Sequence, residues 1–241
     1  MHALRADWLS GRVDPTVDAV REPINQPGQP DRPALVPPQQ VPRRRADTLT
    51  GRIALIHALA HIEFNAINLA LDAAHRYAGM PDPYYEDWLR VADEEASHFE
   101  LLNAHLATLG AHYGDLPAHN GLWDMAIKTA HDPLVRMALV PRVLEARGLD
   151  ATPLIVDKLK AANDMRMVDI LAIIERDEIR HVNVGNRWFA WLCQARGLDP
   201  ETTFRRLLVE FDAPPLRPPF NLEARRAAGF TESELDWLGT L

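Results

Sequence analysis

Apolar residues recur at intervals of three and four positions throughout residues 48–197, and no segment alternates between apolar and polar residues as a half-buried strand does. This pattern predicts an all-α core. Glycine, proline and capping residues divide the core into separate helices, with Asp82, Asp132 and Asp164 as expected N-caps. The expected helices span about residues 50–77, 83–109, 123–130, 133–147, 153–162 and 165–197.

Proline separates the two ends of the chain from this helical part. Of the 19 prolines, eight lie between Pro15 and Pro42 and four lie between Pro214 and Pro219. Because proline lacks the backbone N–H that a helix needs, we expect both segments to be extended arms. The predicted organisation is a proline-rich N-terminal arm over residues 1–47, a four-helix bundle over 48–197, and a C-terminal arm with a short terminal helix over 198–241.

Composition narrows the function classes. The chain has 241 residues, a formal net charge of −8 and one cysteine, Cys193. The negative charge argues against a nucleic-acid partner, and the single cysteine excludes a disulfide framework and a thiolate metal cluster. The most apolar stretch, residues 53–74, carries two histidines and two carboxylates, so we expect no membrane span and a cytoplasmic protein.

Two Glu-x-x-His pairs carry the candidate chemistry. Glu95 and His98 form one pair on the second expected long helix, and Glu178 and His181 form the other on the last. Residues three apart lie on the same face of a helix, so each pair can hold one divalent metal ion. Fewer than one such pair is expected by chance at this composition, which makes the presence of two informative.

A further glutamate precedes each pair at nearly the same distance. Glu63 lies 32 residues before Glu95, and Glu145 lies 33 residues before Glu178. Both preceding glutamates lie on otherwise apolar helices, where an unpaired buried carboxylate would be costly. Carboxylate-bridged dimetal helix bundles use this ligand set: one Glu from each of two helices and a Glu-x-x-His pair from each of the other two.

The sequence around the pairs resembles a known superfamily. The Asp-Glu-Ile-Arg-His run at residues 177–181 matches in full the acidic-Glu-x-Arg-His motif of the oxygen-activating, ferritin-like di-iron carboxylate proteins. The Glu-Glu-Ala-Ser-His run at residues 94–98 matches it except at Ser97. This resemblance covers about residues 50–195. It implies six ligands that are also the catalytic residues: Glu63, Glu95, His98, Glu145, Glu178 and His181.

The same resemblance implies residues that support these ligands. Asp177 would orient a ligand histidine of the facing helix, Arg180 would brace Asp177, and Glu94 would take the matching place in the other pair. More closely, the Leu144–Asp150 run and the Pro-Pro-Phe-Asn run ending at Asn221 resemble a bacterial ferritin-like family of unknown function.

Hairpin geometry tests where the helices turn. Glu63 and Glu95 have their midpoint at residue 79, where Gly79 is expected to end the first helix, whereas Glu145 and Glu178 have theirs near residue 161. We therefore predict that the second turn lies at Asn163-Asp164. Residues 148–152 would then interrupt the third helical arm, and Pro141 would add a second irregularity just before Glu145.

The predicted centre indicates oxygen chemistry. Two metal ions bridged by carboxylates can bind and reduce O2 or peroxide. Imidazole and carboxylate ligands favour two divalent iron ions, with manganese or a mixed manganese–iron pair as alternatives. We expect an oxidase or hydroxylase that acts on a small organic substrate and receives electrons from a donor. We expect the protein to be a monomer or a homodimer. A ferroxidase or metal-handling protein and a dimanganese, catalase-like peroxide dismutase remain alternatives.

Three other residues lie near the expected ligands along their helices. His57 and His61 are four residues apart and share one helix face near Glu63. We expect them to support the ligands or fill the core rather than bind metal. Glu175 lies one turn before Glu178, where a solvated or supporting carboxylate is the preferred interpretation.

Overall fold

The computed structural model describes residues 2–12, 22 and 24–241, and these residues form an all-α structure without a regular strand. One isolated bridge joins Leu35 to Ala118. The helices are α1 (His2–Leu9), α2 (Leu49–Arg76), α3 (Asp82–Thr108), α4 (Gly121–Lys128), α5 (Pro133–Leu139), a π-helix (Val140–Glu145), α6 (Ala146–Ala161), α7 (Met165–Ala195), α8 (Pro200–Glu210), α9 (Leu222–Ala227) and α10 (Glu232–Leu238), with a 3-10 turn at Pro38–Gln40.

The chain divides into two compact units. The first comprises Met1–Ile127 with Asp157–Ile170, and the second comprises Lys128–Val156 with Leu171–Leu241. Helices α2 and α3 pack along each other in the first unit. The second unit contains the π-helix, most of α7 and the three helices that follow it.

The α2–α3 hairpin follows the sequence prediction closely. The Thr48 side chain caps α2 by accepting a hydrogen bond from the Gly51 N–H, and Gly79 turns the chain with a φ of +74°. A positive φ is accessible to glycine because it has no Cβ. The predicted cap of α3 was wrong: Pro81 occupies the N-cap position, and Asp82 is the first helical residue, with Pro83 in the first turn.

The third arm turns where the hairpin argument placed the turn. The chain leaves α6 through Asn163, whose φ is +57°, and Asp164 then caps α7 by accepting a hydrogen bond from the Met167 N–H at 3.2 Å. The prediction of an irregularity at Pro141 is also confirmed, because residues Val140–Glu145 form a π-helix. Pro141 lacks an N–H, so the regular hydrogen-bond ladder cannot continue through it.

The predicted interruption at residues 148–152 was wrong. Helix α6 continues through Gly148 and Pro153 without a break. Pro153 cannot donate to the carbonyl of Leu149, but the Asn221 side-chain amide donates to that oxygen instead, at 3.3 Å. A residue 72 positions away thus supplies the missing donor.

Contacts across the second hairpin fix its register. Pro141 lies against Gly185 so closely that a Cβ on Gly185 would be 2.3 Å from two carbons of the proline. The Arg142 guanidinium donates to the Asn186 side-chain oxygen at 2.7 Å. These pairs centre on residues 163 and 164, so the same antiparallel register brings Glu145 about level with His181 and within about one helical turn of Glu178.

The two end segments contain more helix than the sequence pattern suggested. Residues 198–241 form α8, α9 and α10, and apolar residues of α9 and α10 share a buried cluster with Ala146, Leu149 and Val182. Residues 2–9 form α1. Part of the predicted N-terminal arm, residues 13–21 and 23, lies outside the described residues, and the arm assignments stay predictions.

Helix α2 has the length and apolar composition of a membrane-crossing helix. Most of that apolar stretch, 61%, is buried inside the protein. A buried core helix of a soluble protein has the same properties, so α2 alone does not indicate a membrane span.

Candidate metal centre

Three predicted ligands meet in the first unit. Glu63 of α2 and Glu95 and His98 of α3 are all buried, and each offers a ligand atom within 4.8 Å of the others. His98 Nδ1 donates to a Glu63 carboxylate oxygen at 3.1 Å and lies 3.4 Å from a Glu95 oxygen. The hairpin around Gly79 therefore brings together the residues that the sequence predicted to lie level.

Burial and mutual contact change the proton affinities of this cluster. Burial, and then the neighbouring Glu95 charge, raise the pKa of Glu63 to about 8. Burial opposes the charged form of His98, but hydrogen bonds to Glu63 and Glu95 outweigh it and raise the His98 pKa to about 11. Burial and the Glu95 charge thus favour the protonated form of Glu63, and the two carboxyl groups favour the protonated form of His98.

The donor set fits a divalent cation. Two buried carboxyl groups and one imidazole are hard oxygen and borderline nitrogen donors, and iron and manganese accept both. A cation can replace the protons that burial and the neighbouring charges keep on the cluster, because metal binding requires deprotonated ligands. Glu63, Glu95 and His98 can therefore hold one metal ion.

The other three predicted ligands lie in the second unit. Glu178 and His181 of α7 are one turn apart, with His181 Nδ1 3.3 Å from a Glu178 oxygen, and His181 is buried. Glu145 is the last residue of the π-helix. This unit therefore repeats the Glu-x-x-His pair, and the hairpin register places Glu145 of the preceding helical arm at a similar level along the hairpin.

The predicted supporting residues also have defined surroundings. Asp177 is buried and forms ion pairs with Arg180 and Arg176, each at 2.9 Å. The expected contact between Arg180 and Asp177 is thus present. Glu94 lies 4.0 Å from the Arg90 guanidinium. The metal-supporting roles of Glu94, Asp177 and Arg180 stay predictions.

His57 and His61 contact the loop that follows α3. His57 Nε2 accepts a hydrogen bond from the Gly114 N–H at 3.0 Å, and burial lowers the His57 pKa to about 4. His61 contacts the Tyr113 hydroxyl at 2.9 Å and the His119 carbonyl at 3.1 Å. Both imidazoles are therefore engaged in fixing this loop, and the structure gives them no place among the ligands. Glu175 is half-buried and burial raises its pKa, and its expected role as a solvated or supporting carboxylate stays a prediction.

Sequence reasoning missed the aromatic layer around this loop. Tyr113 packs against Phe64 and Phe99, with ring centroids 5.6 and 5.0 Å apart, and these two residues directly follow Glu63 and His98 in sequence. Tyr113 also stacks on both His57 and His61. A loop tyrosine carries no periodic signal, so no pattern in the sequence could have assigned it to this layer.

Comparison with known proteins places the chain in a family. Residues 1–236 match the family described as "Protein of unknown function (DUF455)". The chain belongs to the DUF455 family. An uncharacterised protein of Haemophilus influenzae is 52% identical to this DUF455 chain over 216 residues, which span 87% of the chain and 75% of the relative. No solved structure matches the DUF455 chain.

Proposed function

We propose that this chain is a dimetal carboxylate oxidoreductase of the ferritin-like type, which uses iron to activate O2 or peroxide for oxidation of a small organic substrate. The buried cluster of Glu63, Glu95 and His98 carries the proposal. Without a cation, this arrangement keeps two carboxyl groups buried side by side with one imidazole, which is costly. A bound metal ion would be coordinated by these carboxylates and would offset that cost.

The proposal takes its ligands from both Glu-x-x-His halves, as in the four-helix bundles of the ferritin-like type. Its proposed ligands are Glu63, Glu95, His98, Glu145, Glu178 and His181, supported by Glu94, Asp177 and Arg180. The near-equal spacing within the two halves supports this pairing, as does the presence in each unit of a histidine in contact with the glutamate one turn before it. A single half would hold one ion only.

The bound metal ions would supply the redox chemistry, and the protein would control their protons and access. Glu63 gives up its proton when the metal binds, so loading becomes more favourable as the pH rises. The Asp177–Arg180 ion pair keeps a fixed carboxylate beside Glu178 in sequence, where it can accept a hydrogen bond from a ligand imidazole. The absence of thiolate ligands favours iron or manganese over copper.

Metal analysis of protein purified without chelator tests the proposal. We expect about two iron ions per chain, with manganese as the alternative, since both halves must be filled. Glu178→Ala should lose most of this metal, whereas Asp169→Ala, an exposed residue of the same helix α7, should retain it. A metal content of one ion or none, or full retention by Glu178→Ala, would contradict the six-ligand site.

Reaction of the reduced, iron-loaded protein with O2 separates the function classes. A discrete monomer or dimer that consumes O2 and changes its absorption spectrum supports the oxidase. Large iron-filled particles in size-exclusion chromatography would instead identify a storage protein, and rapid O2 release from peroxide by manganese-loaded protein would identify a dismutase.

A further inference from the structure

A small cavity lies in the second unit, beside the end of the π-helix. It has a volume of about 110 Å³ and lies between the Val143–Asp150 segment and the Pro214–Phe220 segment. For comparison, a protein cavity of about 150 Å³ holds a benzene ring. The space therefore suits a ligand body of about four or five carbon atoms.

The lining of the cavity combines apolar and cationic residues. Val143, Leu144, Leu216 and Phe220 are apolar, and Arg147, Arg217 and Arg225 are cationic. Such a combination suits an anionic group attached to an apolar body.

Among the residues that the structure describes, Arg225 is the one of these three arginines that forms an ion pair, which leaves the charges of Arg147 and Arg217 available. Asp150 is the acidic residue of the lining, and both its oxygens accept hydrogen bonds from Arg225, at 2.9 and 2.7 Å. Arg147 donates one hydrogen bond to the Arg217 carbonyl at 2.6 Å, so these two exposed residues lie next to each other in the lining. A guanidinium has five N–H donors in a fork that matches a carboxylate, so Arg147 and Arg217 retain donors for an anion.

The cavity lies between the two sequence runs that resemble a bacterial ferritin-like family, Leu144–Asp150 and Pro-Pro-Phe-Asn. Most residues of these runs have no role in the proposed metal site. Leu144, Arg147 and Asp150 belong to one run, and Phe220 to the Pro-Pro-Phe-Asn run. The Asn221 N–H donates to an Asp150 oxygen at 3.0 Å, so the runs are held together. Because the walls of the cavity are already held in place, less conformational entropy is lost when a ligand binds.

We propose that this cavity binds a short aliphatic carboxylate, with its carboxylate at Arg147 and Arg217 and its chain against Leu144, Leu216 and Phe220. The assignment concerns an anion site in the second unit and does not depend on metal bound elsewhere. It therefore stands or falls separately from the proposed oxidoreductase activity.

Calorimetric titration of the full chain with sodium pentanoate tests the proposal, with pentanamide and inorganic phosphate as comparison probes. We expect pentanoate to bind with a Kd of about 1 mM, as suits a ligand of this size. Pentanamide should bind at least about tenfold more weakly, because it lacks the charge that strengthens the hydrogen bonds. Equal binding of pentanoate and pentanamide, or binding of phosphate alone, would overturn the proposal.

Variants locate the binding. Arg217→Gln should weaken pentanoate binding about tenfold, and its side chain is exposed, so the fold should be unaffected. Leu216→Trp, which fills the space without changing the charge, should abolish binding. Arg206→Gln is the control, because this exposed α8 arginine pairs with Glu210 and does not line the cavity. Unchanged binding in both Arg217→Gln and Leu216→Trp would show that pentanoate binds elsewhere and would refute the assignment.

Discussion

The substitution Glu63→Gln should stabilise the metal-free protein increasingly as the pH rises. Glu63 has a pKa of about 8 in the folded chain against 4.5 as its ordinary value. The folded state therefore binds a proton at this side chain that the unfolded state releases between these pH values. This contribution to stability is fully present below pH 4.5 and is lost as the pH rises through about 8.

The size of the effect follows from proton linkage. Each pH unit in this window costs the wild type up to about 1.4 kcal/mol, so the loss between pH 5 and pH 7 is about 2–3 kcal/mol. Glutamine resembles the protonated glutamate in shape and has no proton to lose. The difference in unfolding free energy between Glu63→Gln and wild type should therefore grow by about 2–3 kcal/mol over these two pH units.

Urea unfolding in the presence of EDTA, followed by circular dichroism at pH 5, 6 and 7, measures this difference. Glu86→Gln is the matched control, because Glu86 is an exposed residue of α3 and its substitution should show no comparable pH dependence. A difference between Glu63→Gln and wild type that stays constant from pH 5 to 7 would refute the protonated, buried Glu63. With metal added, the wild type should become more stable than Glu63→Gln, since glutamine is a poorer metal ligand than glutamate.

The remaining predictions concern the second unit, and urea unfolding checks each of them. Gly185→Ala should destabilise the protein by about 1–3 kcal/mol through overpacking, because its new methyl group would collide with Pro141; a neutral result would contradict the close packing. Gly148→Ala should stabilise it by about 0.5–1 kcal/mol, since a Cβ there meets open space within α6. Glu234→Ala should cost about 3–5 kcal/mol, because it leaves buried Arg142 without its ion-pair partner, and a loss below about 1 kcal/mol would show that Asn186 compensates.

The sequence predicted the features that depend on local signals. Asp132 and Asp164 cap their helices as expected, because an aspartate side chain reaches only the next few backbone N–H groups. The close approach of Glu63 to the Glu95–His98 pair followed from equal distances to a glycine turn. Both kinds of prediction use residues that are neighbours in sequence or symmetric about a turn.

The features that escaped prediction depend on distant residues. Pro153 reads as a helix start, yet it lies inside α6 because Asn221 donates to the carbonyl that the proline leaves free. The buried Asp150, three residues before Pro153, forms an ion pair with Arg225, which lies 75 positions later. His57 and His61 are fixed by a loop some 57 residues ahead, through backbone groups that no sequence pattern reveals.

The dependence of α6 and the π-helix on later residues has a consequence for the order of synthesis. Protein segments fold largely in the order in which they leave the ribosome. All residues of the Glu63, Glu95 and His98 cluster have been synthesised once the chain reaches residue 98. Arg142, in contrast, gains its ion-pair partner only when Glu234 is synthesised, 92 positions later. On a growing chain, the three clustered side chains can therefore come together well before the π-helix that carries Glu145 is held in place. Under the proposed function, the newborn protein would pass through a stage that can bind metal at one half only.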